Sequence, residues 1–516
     1  MPVNYEIEMK GVLDREHLDQ IAALPAIQDR TIGNTTSRTM TTTYFDTLDL
    51  ALHRQDLSLR VRKMGNTYIQ CLKKLDKSLG AMIGRSEWEG RIAGPTPSID
   101  HIDDRMMRDR VSRAGEANLD PVFESVIERH SRKLEFADGT TASLDIDVGE
   151  ITAGDAAEPV CEFELELISG SLERLLELAS TINQAVPFRL SALSKAARGI
   201  ALLSKDRPRA QKRAKSRLPK KATVSEALAE ALQGAISHLQ ANEAAALLDD
   251  SEGIHQMRIA LRRMSAVLGT FRPTFAEADY RWAMGEVKWL RGEFSMARSW
   301  DVFINEFLPP VARARSDQGF DVLEALAEAS RTAERERTHR AMTSGRYTQF
   351  LLRLSTWLHT HLLPDDVPEQ AEIEAAGSAR ALYAKQVAKR LKKVQSVTQN
   401  FKGMSDDDRH RLRIAIKKLH YTLDLRSDRL ARKKLRAFRK TLSRVQAQLG
   451  YLNDTIAAEG LVQDLIDPSS DKSALTWLKA AGVAIGWHRR DAALCERQLV
   501  RDVARLRAAP ALWKQK

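Results

Sequence analysis

The chain has 516 residues, 29% of them charged and 6% aromatic, and its formal net charge is +11. This length predicts two to four domains, and the composition is typical of a helix-leaning soluble protein rather than a collagenous or membrane one. Three widely separated cysteines exclude a disulfide framework, and no run of about 18 apolar residues occurs. With no apolar leader at the start of the sequence, we expect a cytoplasmic protein.

The charge is distributed unevenly along the chain. Residues 1–204 have eight more acidic than basic side chains, residues 205–221 have eight more basic ones, and residues 222–516 have eleven more basic ones. Such asymmetry predicts an N-terminal domain, a basic linker and a C-terminal domain over these three ranges. The linker is low in complexity, which is typical of a flexible segment. A solvated spacer and a segment that recruits polyanions explain it equally well.

Residues 1–204 contain short runs in which apolar and polar residues alternate, bounded by Gly, Pro and Asp. Such runs predict β-strands, here over 5–10, 57–63, 68–73, 86–92, 141–148 and 160–167. Helical spacing of apolar residues appears over 15–23 and 172–185. We therefore predict an all-β or α+β domain with added helices.

Several of these strands carry charged residues on one face, because alternate side chains of a strand point to the same side. For any one strand, a solvated outer face is the better explanation. Across five strands, however, the faces are almost purely ionic, so we expect them to converge inside a barrel. The residues concerned are Glu6, Glu8, Lys10, Arg60, Arg62, Lys73, Lys74, Asp145, Asp147, Glu162, Glu164 and Glu166.

Carboxylates and cations gathered in one interior predict a particular chemistry. Carboxylate oxygens bind hard divalent cations, which favours Mg²⁺ or Mn²⁺ over zinc. Lys and Arg beside them would hold a polyanion, with Arg forking onto phosphate oxygens. The sequence has no GxxxxGK[ST] and no HExxH motif, so it supports neither a P-loop nor a zincin mechanism.

The N-terminal residues resemble the CYTH domain, the family of triphosphate tunnel metalloenzymes. Glu6, Glu8 and Lys10 match its ExExK signature, and residues 44–47 with 59–62 are similar to its YFDT and LRxR stretches. The other landmarks follow in the family's order across residues 1–204: Lys73, Arg85, Glu87, Arg132, Asp147, Glu162, Glu164 and Lys195.

This resemblance implies an antiparallel barrel of eight strands whose tunnel hydrolyses triphosphates with Mg²⁺ or Mn²⁺. It implies that the metal ligands are Glu6, Glu8, Asp147, Glu162 and Glu164. It implies that phosphates are bound by Lys10, Arg60, Arg62, Lys73, Arg85, Arg132 and Lys195. The catalytic set would be Glu6, Glu8, Lys10, Arg60, Arg62, Lys73, Arg85 and, as a supporting acid, Glu87. Glu166 and Asp145 come second, as structural residues, and the carboxylate that orients the attacking water stays open.

Helical periodicity dominates residues 222–516, with prolines between the helices. The segment 255–264 recurs as 410–419, and the apolar positions repeat with it: Met257, Leu261, Met264 and Leu268 correspond to Leu412, Ile416, Leu419 and Leu423. We predict two related helical bundles, roughly 222–365 and 371–516.

Each repeat also carries a basic stripe, since positions i, i+3 and i+7 lie on one side of a helix. For either helix alone, a basic solvent face is a slightly better explanation, but the duplication favours anion binding. Histidine in such a stripe would be partly charged near neutral pH. The stripes and the basic residues beside them are His255, Arg258, Arg262, Arg263, His410, Arg413, Lys417 and Lys418.

The duplicated pattern resembles the CHAD domain, an all-α module of two four-helix bundles that often follows a CYTH domain. The resemblance implies that these eight residues bind polyphosphate. A basic surface also attracts nucleic acid, but base stacking needs exposed aromatic residues, and Trp282, Trp289 and Trp357 lie in apolar helical registers. We therefore expect an inorganic polyanion.

These observations predict an α+β chain: an eight-stranded antiparallel β tunnel with flanking helices, followed by an all-α domain of two related four-helix bundles. The leading hypothesis is a metal-dependent inorganic triphosphatase with a polyphosphate-binding tail, located in the cytoplasm and at polyphosphate granules and without a membrane partner. One alternative is a CYTH phosphohydrolase acting on a nucleoside or thiamine triphosphate. The other is a non-catalytic scaffold of polyphosphate granules, against which the complete set of carboxylates argues.

Overall fold

The computed structural model describes residues 4–79, 82–115, 119–204, 207–213, 221–315, 318–362, 378–399, 401–425, 433–466 and 474–508. The chain divides into two compact units. The first comprises residues up to 209 together with 342–364, and the second comprises residues 210–341 and those from 365 onwards.

Nine strands form one antiparallel sheet in the first unit: β1 (Asn4–Val12), β2 (Thr31–Asp46), β3 (Leu57–Met64), β4 (Thr67–Leu79), β5 (Met82–Ile92), β6 (Asp120–Glu135), β7 (Thr141–Ala153), β8 (Ala156–Ser169) and β9 (Arg189–Leu190). Their spatial order is β5-β4-β3-β2-β6-β7-β8-β1-β9, and β1 also pairs with β5. Each of the first eight strands therefore has a partner on both sides. The expected count of eight was wrong, because the two residues of β9 add a further strand beside the end of β1.

The helices are α1 (Arg15–Ala23), α2 (Pro25–Gln28), α3 (Arg105–Gly115), α4 (Leu172–Ala185), α5 (Lys195–Ser204), α6 (Val224–Gln240), α7 (Glu243–Leu247), α8 (Ser251–Thr270), α9 (Glu277–Glu293), α10 (Ser295–Val302), α11 (Leu308–Ala314), α12 (Gln318–Met342), α13 (Gly345–Leu362), α14 (Ala379–Val397), α15 (Asp406–Asp424), α16 (Lys433–Asp464) and α17 (Ala474–Arg507). The helices predicted over 15–23 and 172–185 are confirmed as α1 and α4. Within the described ranges, no helix has the length and apolar character needed to cross a membrane.

The strand register places the charged residues on one face of the sheet. Paired residues of antiparallel strands point to the same side. Lys10 pairs with Glu164, and Asp147 pairs with both Glu162 and Arg129. Alternate apolar residues lie on the other face, so the alternation in the sequence separates an ionic interior from an apolar layer.

The position of α5 brings Lys195 to the ionic face. Ala196 and Ile200 of α5 pack against a buried apolar cluster that includes Phe123 and Ile127. A methyl group on Gly199 would lie 2.1 Å from the ring of Phe123, so only glycine allows this close approach. The helix therefore begins with Lys195 at the cavity described below.

One helix from the C-terminal part of the sequence packs in the first unit. The sequence predicts one helical bundle over residues 222–365, but α13 lies against α4 in the first unit. Its side chains are apolar over much of its circumference, and Tyr347, Leu351 and Leu354 are buried. The helix keeps an exposed side at Arg346 and Arg353, and an apolar side alone does not show against which partner it packs.

The second unit contains the duplicated helices α8 and α15, which pack against each other. Both apolar stripes predicted from the repeat are buried: Met257, Leu261, Met264, Leu268, Leu412, Ile416, Leu419 and Leu423. The basic stripe of each helix is left on an adjacent side. The repeat thus sets the orientation of both helices.

Part of the basic linker is held by the second unit rather than free. The side chain of Asn242 accepts a hydrogen bond of 2.8 Å from the backbone N–H of Gln211 and donates one of 3.0 Å to its carbonyl oxygen. His238 Nε2 lies 3.2 Å from the same carbonyl oxygen. Residues 205–206 and 214–220 of the predicted linker lie outside the described residues.

Candidate functional site

The first unit encloses a cavity of about 770 Å³ on the ionic face of its sheet. Most of the predicted site residues line it together. They come from β1, β3, β4, β5, β7, β8 and α5: Glu6, Glu8, Lys10, Arg60, Arg62, Lys73, Glu87, Asp147, Glu164 and Lys195. Glu162 is fully buried beside them.

Three of the predicted metal ligands form a tight group, here called the acidic triad: Asp147, Glu162 and Glu164, with ligand oxygens within 4.8 Å of one another. Two lysines lie against it. Lys10 Nζ is 2.9 Å from Glu162 Oε1 and 2.8 Å from Glu164 Oε1. Lys195 Nζ is 2.6 Å from Asp147 Oδ2 and 3.2 Å from Glu164 Oε1, and it also contacts Glu162.

These lysines decide the ionisation of the acidic triad. Burial alone would raise all three carboxyl pKa values. The pKa of Asp147 is nevertheless lowered by Lys195, that of Glu162 by Lys195 and Lys10, and that of Glu164 falls well below its ordinary value through Lys10 and Lys195. The triad is therefore ionised at neutral pH although it is withdrawn from water.

Arg129 completes this cluster and was not predicted. Its guanidinium forks onto Asp147, with Nε and one terminal nitrogen each 2.6 Å from a carboxylate oxygen. The other terminal nitrogen is 2.5 Å from Asp145 Oδ2. The terminal nitrogen that contacts Asp147 also donates to Glu164 Oε2 at 2.6 Å. Nearby, Arg198 lies 3.2 Å from Glu162. Planar guanidinium donors match paired carboxylates in this way.

A second group lies where β1, β4 and β5 meet. Lys73 Nζ is 2.6 Å from Glu6 Oε2 and 3.4 Å from Glu87 Oε2, and Arg60 is 3.8 Å from Glu87. Burial would raise the pKa of Glu87, but Lys73 and Arg60 outweigh it and lower that pKa. The thiol of Cys71 donates to Glu87, and burial raises the pKa of Cys71 to about 11, so this sulfur stays protonated.

The carboxylates near Glu166 are less completely neutralised. Burial raises the pKa of Glu166 to about 7, and the charges of Glu6 and Glu8 add to this effect. Burial also raises the pKa of Glu6, with Lys73 opposing it and Glu8 reinforcing it. This part of the cavity carries an excess of negative potential that a cation would relieve.

Two arginines provide the opposite potential on β3. Repulsion from Arg60, together with burial, lowers the pKa of Arg62. Among the described residues, no carboxylate lies within ion-pair distance of Arg62, and the Nε atoms of both arginines are buried without a hydrogen-bond partner. Guanidinium donors in this condition fit phosphate oxygens.

The carboxylates fit a hard divalent cation. The acidic triad supplies clustered oxygen donors, and Glu6, Glu8 and Glu166 offer more on adjacent positions. Such a set is suited to Mg²⁺ or Mn²⁺ rather than to a thiolate-preferring metal.

Arg132 does not join the cavity. It pairs with Leu144 on the apolar side of the sheet, and its guanidinium donates 2.9 Å to the carbonyl oxygen of Ala22 in α1. Arg129, three residues earlier on β6, is on the opposite face and occupies the cavity wall. The backbone of Arg85 pairs with Glu6, but the Arg85 side chain lies outside the described residues.

In the second unit, the two basic stripes meet. Burial lowers the pKa of Arg258 to about 9, and Arg262 and Arg413 are among the charges that reinforce the shift. Burial lowers the pKa of Lys417 to about 6, again with Arg262 and Arg413 close by. Cations from the first and second repeats therefore repel one another at one place, here called the basic cluster: Arg258, Arg262, Arg413 and Lys417.

The other predicted residues of the basic stripes differ from one another in burial and in their contacts. Burial lowers the pKa of His255, with Arg298 and Arg262 adding to the effect. His410 is exposed, and its Nδ1 lies 3.1 Å from Asn453 Oδ1. Arg263 is buried and Lys418 is exposed.

Comparison with known families agrees with both halves of this description. Residues 4–200 match the family model of the CYTH domain, and residues 230–463 match that of the CHAD domain. The chain therefore belongs to the proteins that combine a CYTH domain with a CHAD domain.

Individual relatives are more distant. Over 164 residues, the chain is 28% identical to the inorganic triphosphatase of Haemophilus influenzae. This matched region is 32% of this chain and 46% of that protein. It is similar to the CHAD domain from the plant Ricinus communis (27% identity, TM-score 0.49, 58% of this chain and 98% of that one). It is also similar to a candidate adenylyl cyclase from Hippeastrum with a dominant triphosphatase activity (19% identity, TM-score 0.29, covering 38% of this chain and 95% of that one).

Proposed function

We propose that the first unit is a metal-dependent inorganic triphosphatase that converts triphosphate to pyrophosphate and phosphate, and that the second unit binds polyphosphate. The observation that carries the first part is the meeting of buried carboxylates and buried cations on one cavity wall. The CYTH match and the triphosphatase relative support the same reaction class. Polyphosphate as the partner, like the metal, is part of the proposal.

Arg60 and Arg62 would receive the phosphate groups. Their mutual repulsion and their unused donors are relieved when a phosphate oxygen lies between them. Lys73 would contact a neighbouring phosphate, because its ammonium group lines the same cavity, beside Glu6 of β1 and Glu87 of β5. These cations would align the chain of phosphates along the sheet.

Glu6, Glu8 and the acidic triad would hold Mg²⁺ or Mn²⁺. The bound metal would supply charge neutralisation of phosphate oxygens and polarise an attacking water. Lys10 and Lys195 keep the triad ionised, so its oxygens are ready to bind a cation at neutral pH. Arg129 fixes the orientation of Asp147 from the other side, and we propose that Arg129, rather than Arg132, is the arginine that β6 contributes to the cavity.

The direct test measures phosphate release from tripolyphosphate by the full chain with Mg²⁺, with Mn²⁺ and with a chelator. We expect release that depends on the metal. Glu8→Gln should reduce the turnover by about 100-fold or more, since it removes a buried carboxylate from the cavity. Arg62→Met should raise KM more than it lowers kcat, because it removes a phosphate-binding charge.

Exposed residues of the same unit serve as matched controls. Glu128→Gln and Arg174→Met change the same residue types outside the cavity, at side chains that are 52% and 44% exposed. Both should keep the wild-type kinetics. Absence of phosphate release from the wild type, with triphosphate still bound, would instead indicate a non-catalytic binder.

A triphosphate that carries an organic group is the second candidate. The cavity is lined not only by charge but also by Met40, Ile127 and Leu193, which could contact an apolar group. Turnover of tripolyphosphate, ATP and thiamine triphosphate under the same conditions distinguishes the candidates. We expect tripolyphosphate to have the highest kcat/KM.

The basic cluster supports the polyphosphate part of the proposal. It brings four basic side chains from two helices so close that their charges repel one another, a condition that a flexible polyanion would relieve. Inorganic polyphosphate offers closely spaced charges without bases to stack. Retention of the full chain on immobilised polyphosphate tests this part separately.

A further inference from the structure

A buried hydrogen bond fixes helix α13 to the other elements of the first unit. Thr348 Oγ1 donates to the carbonyl oxygen of Phe188 at 2.5 Å, and both residues are at most 2% exposed. Thr348 lies within the residues matched by the CHAD family model, whereas Phe188 lies within the CYTH match. The hydrogen bond thus joins residues 160 positions apart in the sequence.

Other polar contacts hold the same end of α13 on α4. Asn183 Nδ2 donates to the carbonyl oxygen of Gly345 at 2.8 Å. Gln349 Nε2 donates to Ser180 Oγ at 2.6 Å. A methyl group on Gly345 would lie 3.2 Å from Pro187 Cβ, so the helix starts in close contact with the segment before Phe188. The first turn of α13 is therefore fitted to this segment.

Phe188 connects this contact to the acidic triad. Its ring meets the ring of Phe163 edge to face, with centroids 4.9 Å apart. Phe163 lies between Glu162 and Glu164 on β8, with its ring on the opposite face of the strand. A methyl group on Gly11 would be 2.2 Å from the Phe163 ring and 2.8 Å from the Phe188 ring, so both rings press directly on β1.

The segment after Phe188 runs from β1 to the cavity wall. The backbone N–H of Ser191 donates to the carbonyl oxygen of Lys10 at 3.0 Å. Leu193 and Lys195 then line the cavity. Residues 188–195 therefore contact the backbone of one triad-binding lysine and carry the other.

We propose that Thr348 is a positioning residue of the cavity: by holding the Phe188 carbonyl, it fixes residues 188–195 and thereby keeps Lys10 and Lys195 against the acidic triad. The kinetic part of this inference rests on the proposed triphosphatase function. The structural part does not. A helix within the CHAD match then serves the cavity of the CYTH match.

The test compares Thr348→Val with Thr348→Ser in the full chain. Valine keeps the shape but leaves the buried Phe188 carbonyl without its donor, whereas serine keeps the hydroxyl. We expect amide hydrogen exchange over residues 188–195 to become about tenfold faster in Thr348→Val and to return towards wild type in Thr348→Ser. The kcat for tripolyphosphate should fall about tenfold in the valine variant and recover in the serine variant.

Thr356→Val is the matched control on the same helix. Thr356 Oγ1 donates to the carbonyl oxygen of Leu352 within α13, so Thr356→Val removes a hydroxyl hydrogen bond from the same helix without touching Phe188. We expect unchanged exchange over residues 188–195 in this control. Equal effects of the two valine variants, or wild-type exchange in Thr348→Val, would overturn the proposal.

The two proposals fail in different ways. If exchange over residues 188–195 rises in Thr348→Val while kcat and its pH profile match the wild type, the segment is anchored but does not position the lysines, and the inference is wrong. If the wild type releases no phosphate, the proposed function fails. In that case, Mg²⁺ affinity replaces kcat as the readout: it should change in Thr348→Val and recover in Thr348→Ser, and an unchanged affinity overturns the inference.

Discussion

Lys195 offers the sharpest test of the charge balance around the acidic triad. Lys195→Met removes an ammonium group that contacts all three carboxylates and replaces it with a side chain of similar length. Lys195 is only 9% exposed, so water cannot take over its contacts. Lys10 and Arg129 remain in place, 2.8 Å and 2.6 Å from Glu164 oxygens. The variant therefore weakens the neutralisation of the triad without abolishing it.

Breaking a buried ion pair by removing one partner costs about 3–5 kcal/mol in free energy of unfolding. Because Lys10, Arg129 and Arg198 still contact the triad, we expect the lower end of that range, about 3 kcal/mol at neutral pH without divalent metal. The pH dependence has a definite sign. The triad carboxylates have lowered pKa values in the folded chain, so they stabilise it above their unfolded pKa, and this stability is lost as pH falls through the folded values.

Loss of Lys195 raises those pKa values, so in the variant the loss of stability begins at a higher pH. The pKa of Lys195 itself is raised, so its contribution is fully present below the unfolded pKa of a lysine and is lost only as pH rises through the still higher folded value. The difference between variant and wild type should therefore be largest between neutral pH and about pH 9 and should shrink in acid.

Guanidinium denaturation followed by pulse hydrogen exchange reports this unit separately, through peptides from β7 and β8. The control Arg174→Met removes an exposed cation that contacts Asp138 and Glu177, and it should leave the free energy of unfolding close to the wild-type value. Millimolar Mg²⁺ should restore part of the stability lost in Lys195→Met, because it replaces a missing positive charge. A variant as stable as the wild type, or no more affected than the control, would refute the reasoning.

Three further outcomes follow from the two charged sites. Arg129→Lys should lower phosphate release about tenfold or more, because lysine cannot fork onto Asp147, whereas Arg132→Lys should stay close to wild type in the same assay. Combined Arg258→Glu and Arg413→Glu should abolish retention on immobilised polyphosphate. Charge reversal of the exposed Arg281 in α9 and Arg340 in α12 should not change retention. Because the pKa of Lys417 is about 6, affinity for polyphosphate should rise as pH falls from about 8 to about 5.5, and Lys417→Met should flatten this profile.

The fold was predictable where local pattern and burial agree. Helix α1 and helix α4 have one apolar side each and occupy the predicted residues. The alternation in β3, β7 and β8 reflects one buried apolar face. Strand β2 was missed because residues 33–39 contain no apolar side chain except glycine and are exposed in the structure, so no alternation marks them. Long-range contacts, such as those of α13 with α4, have no local signal at all.

The candidate site was predictable as a set but not in every member. Two residues separated by an odd number of positions on one strand lie on opposite faces of the sheet. The choice between Arg129 and Arg132 therefore depends on knowing which face lines the cavity. Asp147 settles this, since it pairs with Arg129 across the sheet. Strand β6 was not among the strands predicted from the sequence, so neither arginine could be placed on a face without the structure.

The unequal charges in the cavity imply that metal and polyanion bind cooperatively. Glu166, with its pKa raised to about 7, marks an excess of negative charge, whereas Arg62 marks an excess of positive charge. A cation at the first place and a phosphate at the second each relieve a repulsion and also attract each other, so each should raise the affinity of the other by the same factor. Titration calorimetry of Mg²⁺ with and without pyrophosphate, corrected for their complex in solution, measures this factor. Metal binding near Glu166 should also release protons around neutral pH, seen as heats that depend on the buffer. Equal Mg²⁺ affinity with and without the anion would mean that the two groups of charge act independently.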